Sequence, residues 1–459
     1  MAVANHMAGV IQGGMSKSFR DWHIDQQLLL PPSVQDFVPA GHLARFVVSL
    51  VRDELELSAI YASYAGEKGQ PPYHPAMLTA LLLYGYAVGV YSSRRLAKAC
   101  RERVDFMAIV ALDAPDFRTI SDFRKRHLKA LEGLFVQVLQ LCEAAGLVKL
   151  GHVALDGTKV KANASKHKAM SYARMVAREK ELEAEVRRWL AAAEAADAEE
   201  DRLFGADKRG DELPDWVADK AKRLAKIRAA KAALEAEAKA AAEEKARGEA
   251  AAEAKRQAEG GKKPGRKAKP AIDLPAPKAQ RNFTDPQSRV LLTRDGFVQG
   301  YNAEAAVDAE AQVIVAYGLT NGQSDQEQLI VLLDGIETNL GRKPKEASAD
   351  AGFCSEANLA ALQARGIAGY VAVARAKHPA AVKRKFAGPL TQAMQRKLAQ
   401  AGWRSRYRLR KQIVEPVFGQ IKAARGFRQF LLRGIDKVRA EWAMLCTAHN
   451  LLKLASRAA

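Results

Sequence analysis

Residues 151–163 read Gly-His-Val-Ala-Leu-Asp-Gly-Thr-Lys-Val-Lys-Ala-Asn. Apolar residues lead into Asp156, and a glycine follows it at once. That pattern reads as a strand ending near the acidic residue and a glycine turn. Downstream, strand patterns recur at 289–292, 300–306 and 312–319. A helix is expected over 325–339, opened by Ser324 and closed near Gly341. Next come a strand at 346–349 running into Asp350-Ala351-Gly352-Phe353, a helix at 355–365 before Gly366, and a strand at 369–374. A strongly basic stretch, 375–408, leads to a helix from Lys411 and a final helix at 436–456. Strands alternating with helices in this order predict an α/β domain, with helices covering a mixed sheet.

Working outward, residues 166–280 break the pattern. They are rich in Ala, Glu, Lys and Arg, the composition of long solvated helices, and read as a charged helical insertion, for which an antiparallel pair is one arrangement. The residues between 205 and 214 suit a turn between the two helices. The run Gly260-Gly261-Lys262-Lys263-Pro264-Gly265-Arg266-Lys267 reads as a basic tether or phosphate contact.

The N-terminal side looks different. Residues 1–20 read as a flexible leader and 21–150 as helical. Pro75 suits the first position of a buried helix over 76–90. Ser92 or Ser93 can cap a short basic helix over 94–103. Thr119 and Ser121 can cap a longer one over 122–145, stopped by Gly146. Two short basic helices joined by turns have the arrangement of helix-turn-helix readers, with Arg94, Arg95, Arg124, Lys125 and Arg126 as candidate DNA contacts. A plain helical bundle with a solvated basic face is the alternative. The expected domains are therefore a leader (1–20), a helical DNA-binding domain (21–150), an insertion (166–280), and a catalytic domain made of 151–165 with 281–459.

Composition narrows the function. The 459 residues carry 72 Lys+Arg against 52 Asp+Glu, a net +20, which suits a polyanionic partner such as nucleic acid. Apolar residues at 48% exclude a disordered chain. The cysteines stand singly at 100, 142, 354 and 446, so no C-x-x-C zinc or thioredoxin-like motif exists. A disulfide-rich secreted scaffold is excluded as well. The longest apolar run, 76–90, is shorter than the roughly 20 residues that span a bilayer. A cytoplasmic, nucleoid-associated protein without a membrane partner is expected.

Three acids stand out. Asp156 and Asp350 each end a strand, and Glu415 lies on the basic helix Arg410-Lys411-Gln412-Ile413-Val414-Glu415-Pro416-Val417-Phe418. Acids so placed can converge at one edge of a sheet. Three carboxylates there suit hard divalent cations such as Mg²⁺. Two such ions about 3.5–4 Å apart can activate a water and stabilise a leaving oxygen. Asp308 ends another strand pattern and reads as a turn residue. His449 reads as a packed histidine, and His152 has no assigned role. Trp189, Trp216, Trp403 and Trp442 suit either core or base stacking.

At this point the chain resembles bacterial insertion-sequence DDE transposases with a ribonuclease H-like catalytic core. That family marks its glutamate with Tyr-(2)-Arg-(3)-Glu-(6)-Lys. Glu415 and Lys422 fall on the last two positions, Lys411 on the Arg position, and Arg408 on the Tyr position with Tyr407 beside it. Asp156 in Leu-Asp-Gly-Thr-Lys and Asp350 in Ala-Asp-Ala-Gly-Phe match the two aspartates. The segments 284–289 and Gly300-Tyr301-Asn302-Ala303, and the helical N-terminal part with His74-Pro75, are also similar. The likeness covers roughly residues 20–165 and 281–455.

The resemblance implies that Asp156, Asp350 and Glu415 ligate two Mg²⁺ (or Mn²⁺). It implies hydrolysis of phosphodiester bonds at the element's terminal inverted repeats, then transfer of the freed 3′-hydroxyl onto target DNA. Double-stranded DNA is the partner and a homo-oligomer the working form. Lys422 would contact the backbone near the element's end, with Lys411 and Arg408 alongside, and Lys159 and Lys161 are further candidates. Two alternatives stay open: a DNA-binding protein without chemistry, such as a repressor, and a non-transposing nuclease of the same fold.

Overall fold

In the computed structural model the strand around Asp156 lies at the centre of a six-stranded mixed sheet. The structure describes residues 33–64, 71–204, 215–258, 273–293, 296–322, 325–373 and 388–458. The expected leader, the turn at 205–214, the basic tether, the Ser324 cap and the first part of the basic segment at 375–387 lie outside the described residues.

The N-terminal part is helical: α1 Leu43–Ser49, α2 Ser58–Tyr61, α3 Pro75–Ala87, α4 Ser93–Glu102, α5 Val104–Ile109, α6 Phe117–Arg126 and α7 Leu128–Ala144. Pro75 opens α3, which is buried on nearly every side because its apolar residues leave no polar face. Ser92 caps α4, its Oγ accepting from Arg95 N at 3.4 Å. The single helix expected over 122–145 is two helices. Asp116, a stronger cap than Thr119 or Ser121, accepts from Arg118 N at 2.8 Å and starts α6 five residues earlier than expected. The break falls at His127, which is buried beside the Phe123 ring.

The sheet comprises β1 His152–Lys161, β4 Arg289–Thr293, β5 Gly296–Asp308, β6 Ile314–Thr320, β7 Glu346–Ala349 and β8 Ala368–Val371, the labels β2 and β3 going to the short strands Ala169–Ser171 and Gln280–Asn282. β5 runs antiparallel to β1, β4 and β6. β7 runs parallel to β1, and β8 parallel to β7. β5 is buried from Gln299 to Asp308, and its run of small residues lets layers pack on both faces.

The insertion consists of α8 Tyr172–Phe204 and α9 Asp215–Ala258, joined to the sheet through the β2–β3 pair. The helices are antiparallel: Glu179 pairs with Lys231 at 2.6 Å and Glu185 with Lys220 at 2.7 Å. Met175 and Leu182 of α8 meet Leu224, Ile227 and Leu234 of α9 in a small core separate from the main one.

The remaining helices are α10 Gln328–Leu340, α11 Glu356–Ala364, α12 Pro389–Ala401, α13 Leu409–Gly419 and α14 Ile435–Ala458. α14 packs against α3, α7 and β6, so one continuous core joins the N-terminal helices to the sheet. Asn450 of α14 fixes the start of β6 by accepting from Ile314 N and donating to Ile314 O, both at 2.8 Å. Among the described residues no helix is long and apolar enough to cross a membrane.

Candidate active site

Strand register brings the first two acids together. β1 and β7 are parallel with Leu155 opposite Ala349, so the next residues, Asp156 and Asp350, stand at the same level; Asp350 leaves β7, but Asp156 does not end its strand as expected, because β1 stays paired with β5 as far as Lys161. Asp350 turns the chain into a short 3₁₀ segment, its Oδ1 accepting from Gly352 N at 2.8 Å. Asp156 Oδ1 accepts from Gly157 N at 2.9 Å.

Glu415 comes from α13, which packs across β1, β5 and β7. Pro416 inside this helix has no N–H to offer the Gln412 carbonyl, and that carbonyl instead accepts from Gln312 Nε2 at 3.0 Å. Arg410, one turn before Glu415, points into the site. Its guanidinium is bonded to Asp156 Oδ2, and its Nη2 lies 3.5 Å from Glu415 Oε1. The Asp156 and Arg410 side chains are 17% and 11% exposed, whereas Glu415 is half exposed.

Two further acids join them. Glu304 lies on β5 opposite Gly157 and is fully buried. Its Oε1 accepts from Asn302 Nδ2 at 3.0 Å and its Oε2 has no partner. The same amide is bonded to Asp325. Glycine leaves room beside both: a Cβ on Gly157 would come within 3.3 Å of Glu304 Cγ, and one on Gly352 would meet Asp325 Oδ2 and Asp350 Oδ1, each at 3.0 Å. Trp442 Nε1 donates to the Glu304 carbonyl at 3.0 Å, which anchors β5 at this level.

Crowded carboxylates are hard to ionise. Burial pushes Asp156 up to about 6, with the Asp350 charge adding and the Arg410 charge opposing. Burial also pushes Glu304 up to about 9, helped by Asp325, Asp156 and Asp350. Among the described residues no three potential ligands stand in metal-ligating geometry, and the Arg410 guanidinium bridges the first and third acids instead. The donor set nonetheless fits a hard cation. It is all oxygen, it is short of positive charge, and it includes a buried carboxyl oxygen with no partner.

The expected DNA contacts divide. Arg94, Arg95, Lys125, Arg126, Arg408 and Lys411 are exposed. Arg404, Arg406, Arg408 and Lys411 border one hollow of about 680 Å³ beside α13. Lys422 is turned inward. Its Nζ donates to Thr158 Oγ1 at 2.5 Å and to Lys159 O at 2.7 Å, and burial lowers it to about 8. Arg124 is buried and donates to Tyr86 OH at 3.3 Å and Tyr91 O at 3.2 Å. Lys159 Nζ reaches Leu292 O at 2.7 Å, and Lys161 is exposed.

The minor candidates are structural. Asp308 accepts from Leu150 N at 2.7 Å and Glu310 N at 2.9 Å. His449 is buried against Gln312 O at 2.8 Å, and burial lowers it to about 3. His152 bridges Glu346 and Ser348, each at 2.9 Å. Sequence reasoning missed Arg410, Glu304, Asn302 and Asp325. Two signals were available: Tyr407 and Arg410 form a Tyr-(2)-Arg pair shifted by one residue, and Glu304 is a lone acid within Ala-Glu-Ala-Ala-Val.

Two family models match the chain. A transposase domain (DUF772) covers residues 32–126, and a transposase DDE domain covers 373–455. The second span contains Arg410, Glu415 and Lys422, while Asp156 and Asp350 lie outside it. No curated protein and no solved structure matches. One transposase domain model over the N-terminal helices and another over the segment that carries Glu415 together support an insertion-sequence DDE transposase.

Proposed function

We propose that this transposase binds the terminal inverted repeats of its element, cuts phosphodiester bonds there, and joins the freed ends to target DNA at the Asp156–Asp350–Glu415 site. The observation that carries the reading is the β1–β7 register, in which Asp156 within β1 and Asp350 at the end of β7 stand at one level beneath the helix bearing Glu415. The sheet order supports a ribonuclease H-like core. Taking β1, β5, β6, β7 and β8 as first to fifth, it runs third, second, first, fourth, fifth, with the second strand antiparallel. On this reading the helices at 21–150 bind DNA, 151–165 with 281–459 form the catalytic domain, 166–280 is an insertion, and the enzyme works in the bacterial cytoplasm as a homo-oligomer holding two ends.

Asp156, Asp350 and Glu415 would hold two Mg²⁺ or Mn²⁺ ions, which supply a polarised water and charge stabilisation at the phosphate when bound. The protein's own residues do the positioning. Lys422 ties the end of α13 to the β1 backbone and so fixes the angle at which Glu415 approaches. Arg410 holds Asp156 and Glu415 to one another and sets a positive charge where a phosphodiester oxygen would arrive. The exposed Arg408 and Lys411 offer backbone contacts beside Glu415.

The test is cleavage and joining of a labelled duplex carrying the element's end, with Mg²⁺ or Mn²⁺. Asp156→Asn, Asp350→Asn and Glu415→Gln should each lose at least about a thousandfold in rate while still binding the duplex. Full activity in any one of the three would remove that acid from the site. Binding without cleavage by the unaltered protein would favour the repressor reading.

A further inference from the structure

A hollow of about 430 Å³ lies between the first turn of α4 and the side of α6, away from the acids. Ser92, Ser93, Arg94, Phe117, Arg118 and Lys125 line it. α4 has ten residues, and the amides of Ser93 and Arg94 at its start have no intrahelical carbonyl to bond. The helix dipole adds positive potential at that point.

Besides the backbone amides, two buried side chains at the hollow each have a polar atom without a partner, one at the helix end and one on α6. Ser93 is 8% exposed, lines the hollow, and its Oγ has no partner. Arg124 is 6% exposed and also lines it; Tyr86 and Tyr91 hold its Nη1, leaving its Nε without a partner. Arg94 and Arg118 are stacked on the Phe117 ring at 4.9 and 5.5 Å, which keeps both guanidiniums at the rim. The one carboxylate lining the hollow, Asp122, is paired with Lys125 at 3.2 Å. Donors thus outnumber acceptors around the hollow, an arrangement that suits a tetrahedral oxyanion.

We propose that this hollow seats one phosphodiester of the duplex DNA backbone. The proposal rests on the DNA-processing reading above. Position favours DNA over a free anion. Leu431 also lines the hollow, and its neighbour Phe430 donates its N–H to Lys161 O at 2.9 Å, at the end of β1. Asp156 is five residues back along that strand, about 17 Å at the usual rise. The exposed Lys161 stands at that strand end, where its N–H donates to the carbonyl of the exposed Arg428, and the exposed Arg433 donates to Asn163 O two residues on. A duplex engaged at the acids would therefore be a few nucleotides from the hollow.

The experiment measures binding of a fluorescent 40-base-pair duplex to the full chain across a salt series. The variants are Ser93→Asp, Arg118→Gln, and Ala241→Asp on the exposed side of α9 as a charge-matched control. An acid in the first turn suits α4 itself, so Ser93→Asp keeps the helix while repelling a phosphate. The two hollow variants should bind on the order of tenfold more weakly, with the log–log salt slope reduced by about one, while the control binds as the unaltered protein does. Melting temperatures should be the same in all four.

Wild-type affinity and slope in both hollow variants would overturn the phosphate site and leave the DNA reading standing. Failure of the unaltered protein to bind any duplex would overturn both. A parallel arm compares melting in inorganic phosphate and in chloride at matched ionic strength. Stabilisation by phosphate that Ser93→Asp abolishes, together with unchanged duplex binding, would make the hollow a free-anion site and overturn the DNA assignment.

Discussion

The Arg410 guanidinium is bonded to the Asp156 carboxylate, joining α13 to β1 at the acid site. Four more carboxyls stand around the pair, Asp350, Glu304, Asp325 and Glu415, with the Asn302 amide between Glu304 and Asp325. One fixed cation facing so many acids cannot neutralise them all. The consequence is visible in the upward shifts of Asp156 and Glu304. A site built this way is stable only because part of its charge is withheld, and that makes its stability depend on pH.

Arg410→Ala should expose this dependence. The Arg410 charge holds Asp156 down against burial, so without it the carboxyl shifts further up. A raised carboxyl costs the native state most at pH above its folded value, and the cost disappears as the carboxyl protonates. The variant should lose about 2–4 kcal/mol at pH 8 and clearly less at pH 5. Urea unfolding at both pH values, with chelator present, measures it. Equal losses at the two would mean that Arg410 acts by packing alone.

Glu304→Gln should be tolerated and should flatten the pH profile. Glu304 ionises only near pH 9 in the folded chain, against 4.5 as its ordinary value. Between those values the native state holds a proton that the unfolded chain releases, so this group lowers stability as pH rises from about 4.5 to about 9. Glutamine keeps the shape and removes the ionisation. In chelator, the variant's melting temperature should match the parent's near pH 4 and exceed it increasingly toward pH 9. A variant that melts lower throughout would show that the carboxyl itself is needed.

These two residues also mark where sequence stopped being informative. The strands at Asp156 and Asp350 and the helix at Glu415 were legible because each has local periodicity, although the glycine after Asp156 does not end its strand. The partners of those acids are set by register and helix packing, which are not local. Glu304 faces the site because β5 pairs with β1 so that it lies opposite Gly157. Arg410, not Lys411, turns inward because of the face that α13 presents to β1; Lys411 is exposed. Arg124 reads as a surface cation among Arg, Lys and Arg, yet Tyr86 and Tyr91 bury it.

Lys422→Met tests whether the inward lysine is structural. Burial lowers the Lys422 ammonium to about 8, below its ordinary 10.5. Between those values the unfolded chain holds more protons than the folded one, so this group makes stability rise as pH increases from about 8 to about 10.5. The methionine variant should lack that rise and keep comparable buried volume. Its thermal melts at pH 7.5 and 10 are compared with the parent's. An identical pH response in the two proteins would place the ammonium in solvent instead, where it would be free for DNA.

Replacing residues 172–279 with Asn-Gly should leave the sheet domain folded. The helical pair has its own small core, and the chain enters and leaves it through the β2–β3 ladder, where Ser171 lies opposite Gln280. Strand ends facing each other in an antiparallel ladder are what a two-residue turn connects, and Asn-Gly adopts the twist that suits them. The ion pairs lost at the neck, Glu237 with Arg281 and Arg289, involve a half-exposed glutamate and are worth at most about 1 kcal/mol each. The shortened protein should therefore melt cooperatively within a few degrees of the parent and show a large drop in helical circular dichroism. Aggregation, or loss of a cooperative transition, would mean that the helical pair is part of the folding unit and not an insertion into it. Duplex binding by the shortened protein, measured alongside, separates a DNA-holding role for the pair from a purely structural one, because the acids and the exposed cations of α4, α6 and α13 remain in place.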